Sequence, residues 1–252
     1  MKVSIVIPAF NEVQTIAEVL RRIAAADVDA EIVVIDDGST DGTRDVLQSR
    51  HGVTVIFHER NAGKGAAIRT GLGYVTGEVV IIQDADLEYS PQDYPALLAP
   101  ILAGHADVVY GSRFLSGPHR VLFFWHSVAN SLLTLLSNML SDLNLTDMET
   151  GFKVFRTSVL KGINLQSDRF GFEPEITAKI SRQKCRIYEV PISYHGRDYA
   201  AGKKITWRDG VAALHHIVRF NLFPRQRPKP PVPHRVVCRP DTIPHAHAGD
   251  IV

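Results

Sequence analysis

Two cysteines, Cys185 and Cys238, are all the thiol in this 252-residue chain, and they stand in no CxxC or Cys/His ligand spacing. Their scarcity excludes a disulfide scaffold and a cysteine-held metal, and makes a reducing cytoplasm the expected compartment. Charge of one sign is equally scarce, since 28 basic against 27 acidic side chains leave a formal +1. A general electrostatic grip on nucleic acid needs a large positive excess, so no nucleic-acid partner is expected. Long apolar runs are missing too. The most apolar stretch, residues 121–145, is interrupted by His126, Asn130, Ser131, Ser137, Asn138 and Asp142, whereas a bilayer span needs about 18 unbroken apolar residues. The first residues, Met1-Lys2 and a short apolar run ending at Pro8 and Asn11-Glu12, are too brief for a signal-peptide core and read as part of the fold. The protein is expected to be soluble or to lie on a membrane surface.

What the chain has is an ordinary globular composition, 45% hydrophobic and 22% charged, and an alternation of two periods. Residues 3–7 form an extended β-branched run; Ile16, Val19, Leu20 and Ile23 then follow the i, i+3, i+4, i+7 spacing of one helix face. The alternation repeats as strand 31–36, helix 40–49, strand 53–57, helix 65–74 and strand 79–83, with a further strand at 107–110. Strands linked by helical crossovers make a parallel sheet, and nearly continuous Val and Ile are expected where helices cover both faces. The later half reads differently. Val128, Leu132, Leu135, Leu136, Met139, Leu140 and Leu143 recur at helical spacing, 171–182 reads as a helix, 186–194 as a strand, and 207–220 as a last helix with Val211, Leu214, Ile217 and Val218 on one face. Pro224, Pro228, Pro230, Pro231, Pro233, Pro240 and Pro244 crowd the end, so residues 224–252 are expected to be a Pro-rich disordered tail whose removal spares catalysis.

In parallel sheets ligands bind beyond the carboxyl ends of the strands. After the second strand, Asp37 is placed to accept from a base N–H or a ribose hydroxyl, while Ser39, Thr40 or Asp41 reads more readily as a helix cap than as a ligand. Asn61-Ala62-Gly63-Lys64-Gly65 opens a helix as phosphate loops do, but Gly65 stands where the GxxxxGK[ST] pattern requires a hydroxyl. Lys64 then faces either a donor phosphate or solvent. The fourth strand delivers Asp84, Asp86 and Glu88 in alternate positions, hard oxygen donors of the kind that hold Mg²⁺ or Mn²⁺ together with substrate phosphates.

IVIPAFNE, VVIDDGSTDGT, NAGKGAAIRTG, DADLEYSP and GSR, in that order and spacing, resemble the family-two GT-A glycosyltransferases, and among them most closely the dolichyl- or polyprenyl-phosphate hexose synthases. The resemblance runs from Met1 to about Phe223. It implies a GT-A fold, an α/β single domain with a mainly parallel central sheet flanked by helices: 1–113 the nucleotide-sugar-binding half, 114–223 the acceptor-binding half. It also implies an inverting, Mg²⁺- or Mn²⁺-dependent transfer of glucose or mannose from a UDP- or GDP-sugar. By position, Pro8, Ala9, Glu12 and Asp37 would line the nucleoside pocket, Asp84, Asp86 and Glu88 would hold the metal, and Arg113 would meet a phosphate. Relatives often have Gln where Glu88 stands.

The acceptor decides what else is needed. A hydroxyl needs a general base, whereas a phosphate monoester is already mostly a dianion at neutral pH and needs only cations to position it. As a base, Asp147 leads by the resemblance, with Glu173 and Glu175 behind it; Asp147 also reads as a helix cap. For phosphate capture there are Arg113, Arg120, Arg197, Lys203 and Lys204. Residues 122–125 and the Leu-rich helix after them read either as a membrane-interface element or, more often for a Leu stripe, as a core helix. His215-His216 and His245-Ala246-His247 lack metal-site geometry or further ligands and are expected at the surface. The leading expectation is a cytoplasmic enzyme, peripheral to the inner face of the membrane, using polyprenyl phosphate as acceptor. The alternatives are the same donor chemistry on a hydroxyl of a soluble, glycan or cell-envelope acceptor, and a non-catalytic nucleotide-sugar-binding protein.

Overall fold

Unbroken valine and isoleucine suit strands that are covered on both faces. The computed structural model describes residues 1–115, 124–169, 171–196, 207–223 and 231–238. In it β1 (Val3–Ala9), β2 (Ala30–Asp36), β3 (Thr54–His58) and β4 (Val79–Ile82) lie parallel in the order β4-β1-β2-β3. Their side chains alternate between two cores: Ile5 and Ile7 enter one and Val6 the other, and Ile32 and Val34 part from Val33 and Ile35 in the same way. The crossovers are α1 (Ile16–Ala24), α2 (Thr43–Gln48) and α3 (Lys64–Gly71). Ile16, Val19, Leu20 and Ile23 are all buried, as their spacing predicts.

A short 3₁₀ turn (Pro91–Asp93) and α4 (Tyr94–Leu102) lead to β5 (Val108–Ser112). Beyond α5 (Phe124–Ser141), β6 (Lys153–Arg156) inserts antiparallel between β4 and β5, with Ile82 opposite Lys153. Then come α6 (Thr157–Lys161), α7 (Phe172–Arg182), β7 (Ile187–Pro191) parallel to β5, and α8 (Trp207–Leu222). β8 (His234–Cys238) completes the sheet order β7-β5-β6-β4-β1-β2-β3-β8. The expected mixed α/β domain with a mainly parallel sheet is what is found. β6 escapes periodicity because it has only four residues, and Lys and Arg stand at its two ends.

Two expectations are corrected. Over its 18 residues α5 carries no Asp, Glu, Lys or Arg, yet only Thr134 and Ser137 are buried in it. Leu132, Leu135, Met139 and Phe124 face outward and Trp125 is 76% exposed. Leu133, Leu136 and Leu140 do pack against the core, and the helix lies on α7 and α8, so the expected core stripe is only partly realised. On α8 the expected stripe divides: Ile217 turns into the core with Ala213 and Phe220, while Val211, Leu214 and Val218 stay outside.

The second correction concerns the tail, where β8 pairs antiparallel with β3 from Thr54–Cys238 to His58–His234. Tyr74 Oη lies 2.7 Å from His234 Nε2, and Val237 packs against the core. Cutting the chain after Phe223 bares the edge of β3. The truncated protein is expected to melt lower, by about 2–4 °C for each kcal/mol lost in a domain of this size, and to scatter light on standing. Melting together with the full chain would show that β8 contributes nothing.

Candidate active site

The loops after β1 and β2 are stitched together at the carboxyl edge of the sheet. Asn11 N–H donates to Ser39 Oγ (2.9 Å), Thr40 N–H to Asn11 Oδ1 (2.9 Å), Glu12 N–H to Thr43 Oγ1 (2.9 Å) and Val13 N–H to Asp41 Oδ2 (3.1 Å). Asp41 also accepts from the Thr43 N–H and hydroxyl at the start of α2. Burial works against its charge, but these bonds hold its carboxyl below the usual range. Asp41 thus holds the first turn of α2 from the position before its N-cap, Gly42, while Ser39 and Thr40 bond to Asn11 rather than capping the helix. Pro8 and Ala9 are buried at the end of β1, and the Glu12 carboxylate accepts from the Thr15 hydroxyl at 2.8 Å.

Asp37 is placed otherwise than expected. Its Oδ1 accepts from Ala62 N–H (2.9 Å) and lies 2.7 Å from His58 Nδ1, and its Oδ2 accepts from Gly63 N–H (2.7 Å). The carboxylate is thus committed to the 61–64 loop rather than turned toward a nucleoside. That loop is closed from its other side as well. A side chain on Gly63, where φ is +100°, or on Gly65 would run into the carbonyls of Asp168 and Ser167, and Ala66 N–H donates to Asp168 O at 3.0 Å. With these amides spent inside the protein, the glycines serve close packing, and the loop is no phosphate cradle.

Lys64 turns inward to two carboxylates rather than out to solvent. Its Nζ lies 2.8 Å from Asp84 Oδ1 and 2.9 Å from Glu173 Oε1. Burial disfavours the ammonium, but Asp84 and Glu173 outweigh it and hold the pKa well above its usual value. The chain turns directly after β4, so Asp84, Asp86 and Glu88 do not continue as one row. Asp86 Oδ1 accepts from Glu88 N–H (3.2 Å), and Glu88 Oε2 accepts from the Tyr194 hydroxyl (2.9 Å). Among the described residues no three His, Cys, Asp or Glu side chains gather into a metal-holding group, which corrects the three-ligand set. Asp84 and Asp86 remain as two hard, half-buried donors at one strand end. That pair fits Mg²⁺ or Mn²⁺, which complete their shells with phosphate oxygens and water, and Asp84 already draws a cationic group to within 2.8 Å.

At the end of β5, Arg113 reaches a fully buried Asp147: Nε to Oδ2 2.7 Å, Nη2 to Oδ1 2.7 Å and the Arg113 N–H to Oδ2 3.1 Å. Glu189 on β7 fixes Asp147 from behind by accepting its N–H (3.1 Å). Burial opposes both charges, yet the pairing keeps Asp147 below the usual carboxylate range and Arg113 above its own. A carboxylate whose two oxygens are taken and whose proton affinity is lowered is a poor base, so Asp147 positions Arg113. The guanidinium also lies 5.2 Å from the centre of the Tyr194 ring and 3.3 Å from Asn130 Oδ1. Glu175 is likewise engaged, accepting from Gln166 N–H (2.7 Å) and Ser167 N–H (2.6 Å) and pairing with Lys179. Arg120, Arg197, Lys203, Lys204, His245 and His247 lie outside the described residues.

Sequence reasoning passed over two groups here. Lys153, buried in β6, donates to the carbonyls of Met148 and Thr150, and burial lowers its pKa to about 8. Among the described residues Glu149 Oε1 is buried without a hydrogen-bond partner; burial, then the neighbouring Glu173, pushes its carboxyl up to about 8. Both lie within or just after the Asp147–Phe152 segment, and only the short hidden strand β6 made them legible.

The family model for glycosyl transferase family 2 matches residues 4–163. An undecaprenyl-phosphate mannosyltransferase of Micrococcus luteus is 31% identical over 238 residues, covering 89% of this chain and 96% of the relative. A dolichol-phosphate mannosyltransferase of Pyrococcus furiosus is 30% identical over 232 residues, covering 87% of this chain but only 64% of the longer relative. Glucosyl-3-phosphoglycerate synthase from Mycobacterium tuberculosis, solved in complex with Mn²⁺, UDP and phosphoglyceric acid, superposes with a TM-score of 0.69 at 20% identity over 87% of this chain and 78% of the other, a likeness of fold.

Asp147→Asn keeps the volume but removes the charge facing Arg113, and breaking one side of a buried pair costs about 3–5 kcal/mol. Chemical denaturation is expected to register that loss; an unchanged midpoint would restore Asp147 as a free base. Glu149, with its folded pKa raised from 4.5 to about 8, binds a proton in the native state that the unfolded chain has already released. Stability from this group is therefore complete below about pH 4.5 and declines as pH rises toward 8. Glu149→Gln should gain thermal midpoint over the parent protein between pH 5 and 8, and parallel curves would exclude the raised carboxyl.

Proposed function

The chain belongs to glycosyl transferase family 2, and from that membership we propose that it moves a hexose, with inversion, from a UDP- or GDP-sugar to a polyprenyl phosphate, using Mg²⁺ or Mn²⁺. The observation that carries the reading is the pairing of Asp84 and Asp86 at the end of β4 with a locked cation, Arg113, at the end of β5. The mannosyltransferases of Micrococcus and Pyrococcus, named for undecaprenyl- and dolichol-phosphate acceptors, support the acceptor class.

A divalent ion held by Asp84 and Asp86, when bound, would neutralise charge on the departing diphosphate. On the acceptor side, Asp147 holds Arg113 bidentately, and a guanidinium fixed in this way would meet an incoming phosphate without reorganisation. A phosphate monoester is mostly a dianion at neutral pH and brings its own nucleophilic oxygen. The commitment of Asp147 to Arg113 is compatible with that acceptor, because no proton has to be removed. The new bond to the anomeric carbon forms as the bond to the diphosphate breaks, and inversion needs no covalent enzyme intermediate.

A lipid acceptor also calls for an apolar landing. The uncharged α5 with Phe124, Trp125, Leu132, Leu135 and Met139 exposed, beside Val211, Leu214 and Val218 of α8, supports peripheral contact with the inner face of a membrane. No helix among the described residues is long and apolar enough to cross one.

The test supplies labelled UDP-glucose or GDP-mannose and a short polyprenyl phosphate in vesicles, with Mn²⁺ and then with chelator. Metal-dependent label in the organic phase is expected, and Leu132→Ser with Met139→Ser should weaken vesicle flotation and transfer together. Label confined to water-soluble product would move the acceptor to a hydroxyl of a soluble or glycan substrate, and no turnover of either donor would sink the enzymatic reading.

A further inference from the structure

Lys64 comes from the first turn of α3, Glu173 from the first turn of α7, and Asp84 from the turn after β4. Their charged ends meet where little water reaches: the side chains of Lys64, Asp84 and Glu173 are 16%, 20% and 4% exposed. Gly151 packs close against the group. A side chain on Gly151 would collide with Asp84 Oδ2 and come within 3.2 Å of Lys64 Nζ. One ammonium thus answers two carboxylates, and Glu173 Oε2 is left buried without a hydrogen-bond partner among the described residues.

A divalent ion on Asp84 must contend with this ammonium for the same oxygens, and two like charges so close in a poorly hydrated site repel strongly. We infer that Lys64 is a resident counter-ion competing with metal for Asp84, so that metal enters with the nucleotide diphosphate rather than ahead of it. The diphosphate brings the negative charge that lets ion and ammonium share the site. Because coupling between two ligands is reciprocal, the nucleotide gains from the metal what the metal gains from the nucleotide. Glu173 is the second anchor: it draws the ammonium partly away from Asp84 and ties this exchange to the acceptor half.

The inference rests on the proposed metal role of Asp84, and the experiment separates the two. Free Mn²⁺ is titrated by electron paramagnetic resonance against the full chain and the Lys64→Met, Glu173→Gln and Asp84→Asn variants, alone and with saturating UDP or GDP. Lys64→Met is expected to bind Mn²⁺ alone roughly tenfold tighter or more, with a correspondingly smaller gain on adding nucleotide. Glu173→Gln, in which the ammonium turns wholly to Asp84, should bind Mn²⁺ alone more weakly than the parent while the nucleotide-assisted affinity recovers. Unchanged or weaker Mn²⁺ binding by Lys64→Met overturns the counter-ion role, as does tighter binding by Glu173→Gln, which decides the matter if Lys64→Met does not fold. If the parent binds no Mn²⁺ even with nucleotide, or Asp84→Asn binds it as well as the parent, the metal role of Asp84 fails instead.

Discussion

A carboxylate carried to the end of a sheet that is covered on both faces loses water and has to be matched by a cation or by N–H groups. Much of the site follows from that constraint. Asp37 is matched by two amides and a histidine, Asp84 by Lys64, Asp147 by Arg113 and a backbone N–H, and Glu175 by two amides and Lys179. For Asp37, Asp84 and Asp147 the match draws a distant segment to the sheet edge, so the loop geometry there is a result of neutralising charge as much as of packing apolar surface. The side chains are held before any ligand arrives, which is the preorganisation that electrostatic catalysis requires.

The parallel half was legible because its signals are local. Val and Ile runs, the Ile16–Ile23 spacing and the order of the strand-end motifs all led to elements found where they were expected. Asp84, Asp86 and Arg113 came to one edge because strand ends were the right place to look. The partners were not legible. Nothing in the sequence of the glycine loop says that Asp37 will take its amides, or that Lys64 will turn inward to Glu173, more than a hundred positions away along the chain. Asp147 stood as a base by its position in the resemblance; only three-dimensional proximity shows Arg113 closing on both of its oxygens.

Periodicity also misled in one instructive way. The Leu and Met stripe of α5 has the spacing of a core helix, but periodicity reports that a face is apolar and does not say against what. Here Leu136 and Leu140 pack against the core beside Thr134 and Ser137 while Leu132, Leu135 and Met139 turn out, so part of the same pattern serves a surface whose solvent need not be water.

The antiparallel course of β8 has a bearing on how this molecule can be handled. Its first residue lies level with His58, at the carboxyl end of β3, and its last lies level with Thr54 at the opposite end. The chain is therefore handed off on the far side of the sheet from Asp84 and Arg113. A dye, an affinity handle or a solid support joined just beyond Cys238 would start from that rear rim, leaving the approach to the site clear.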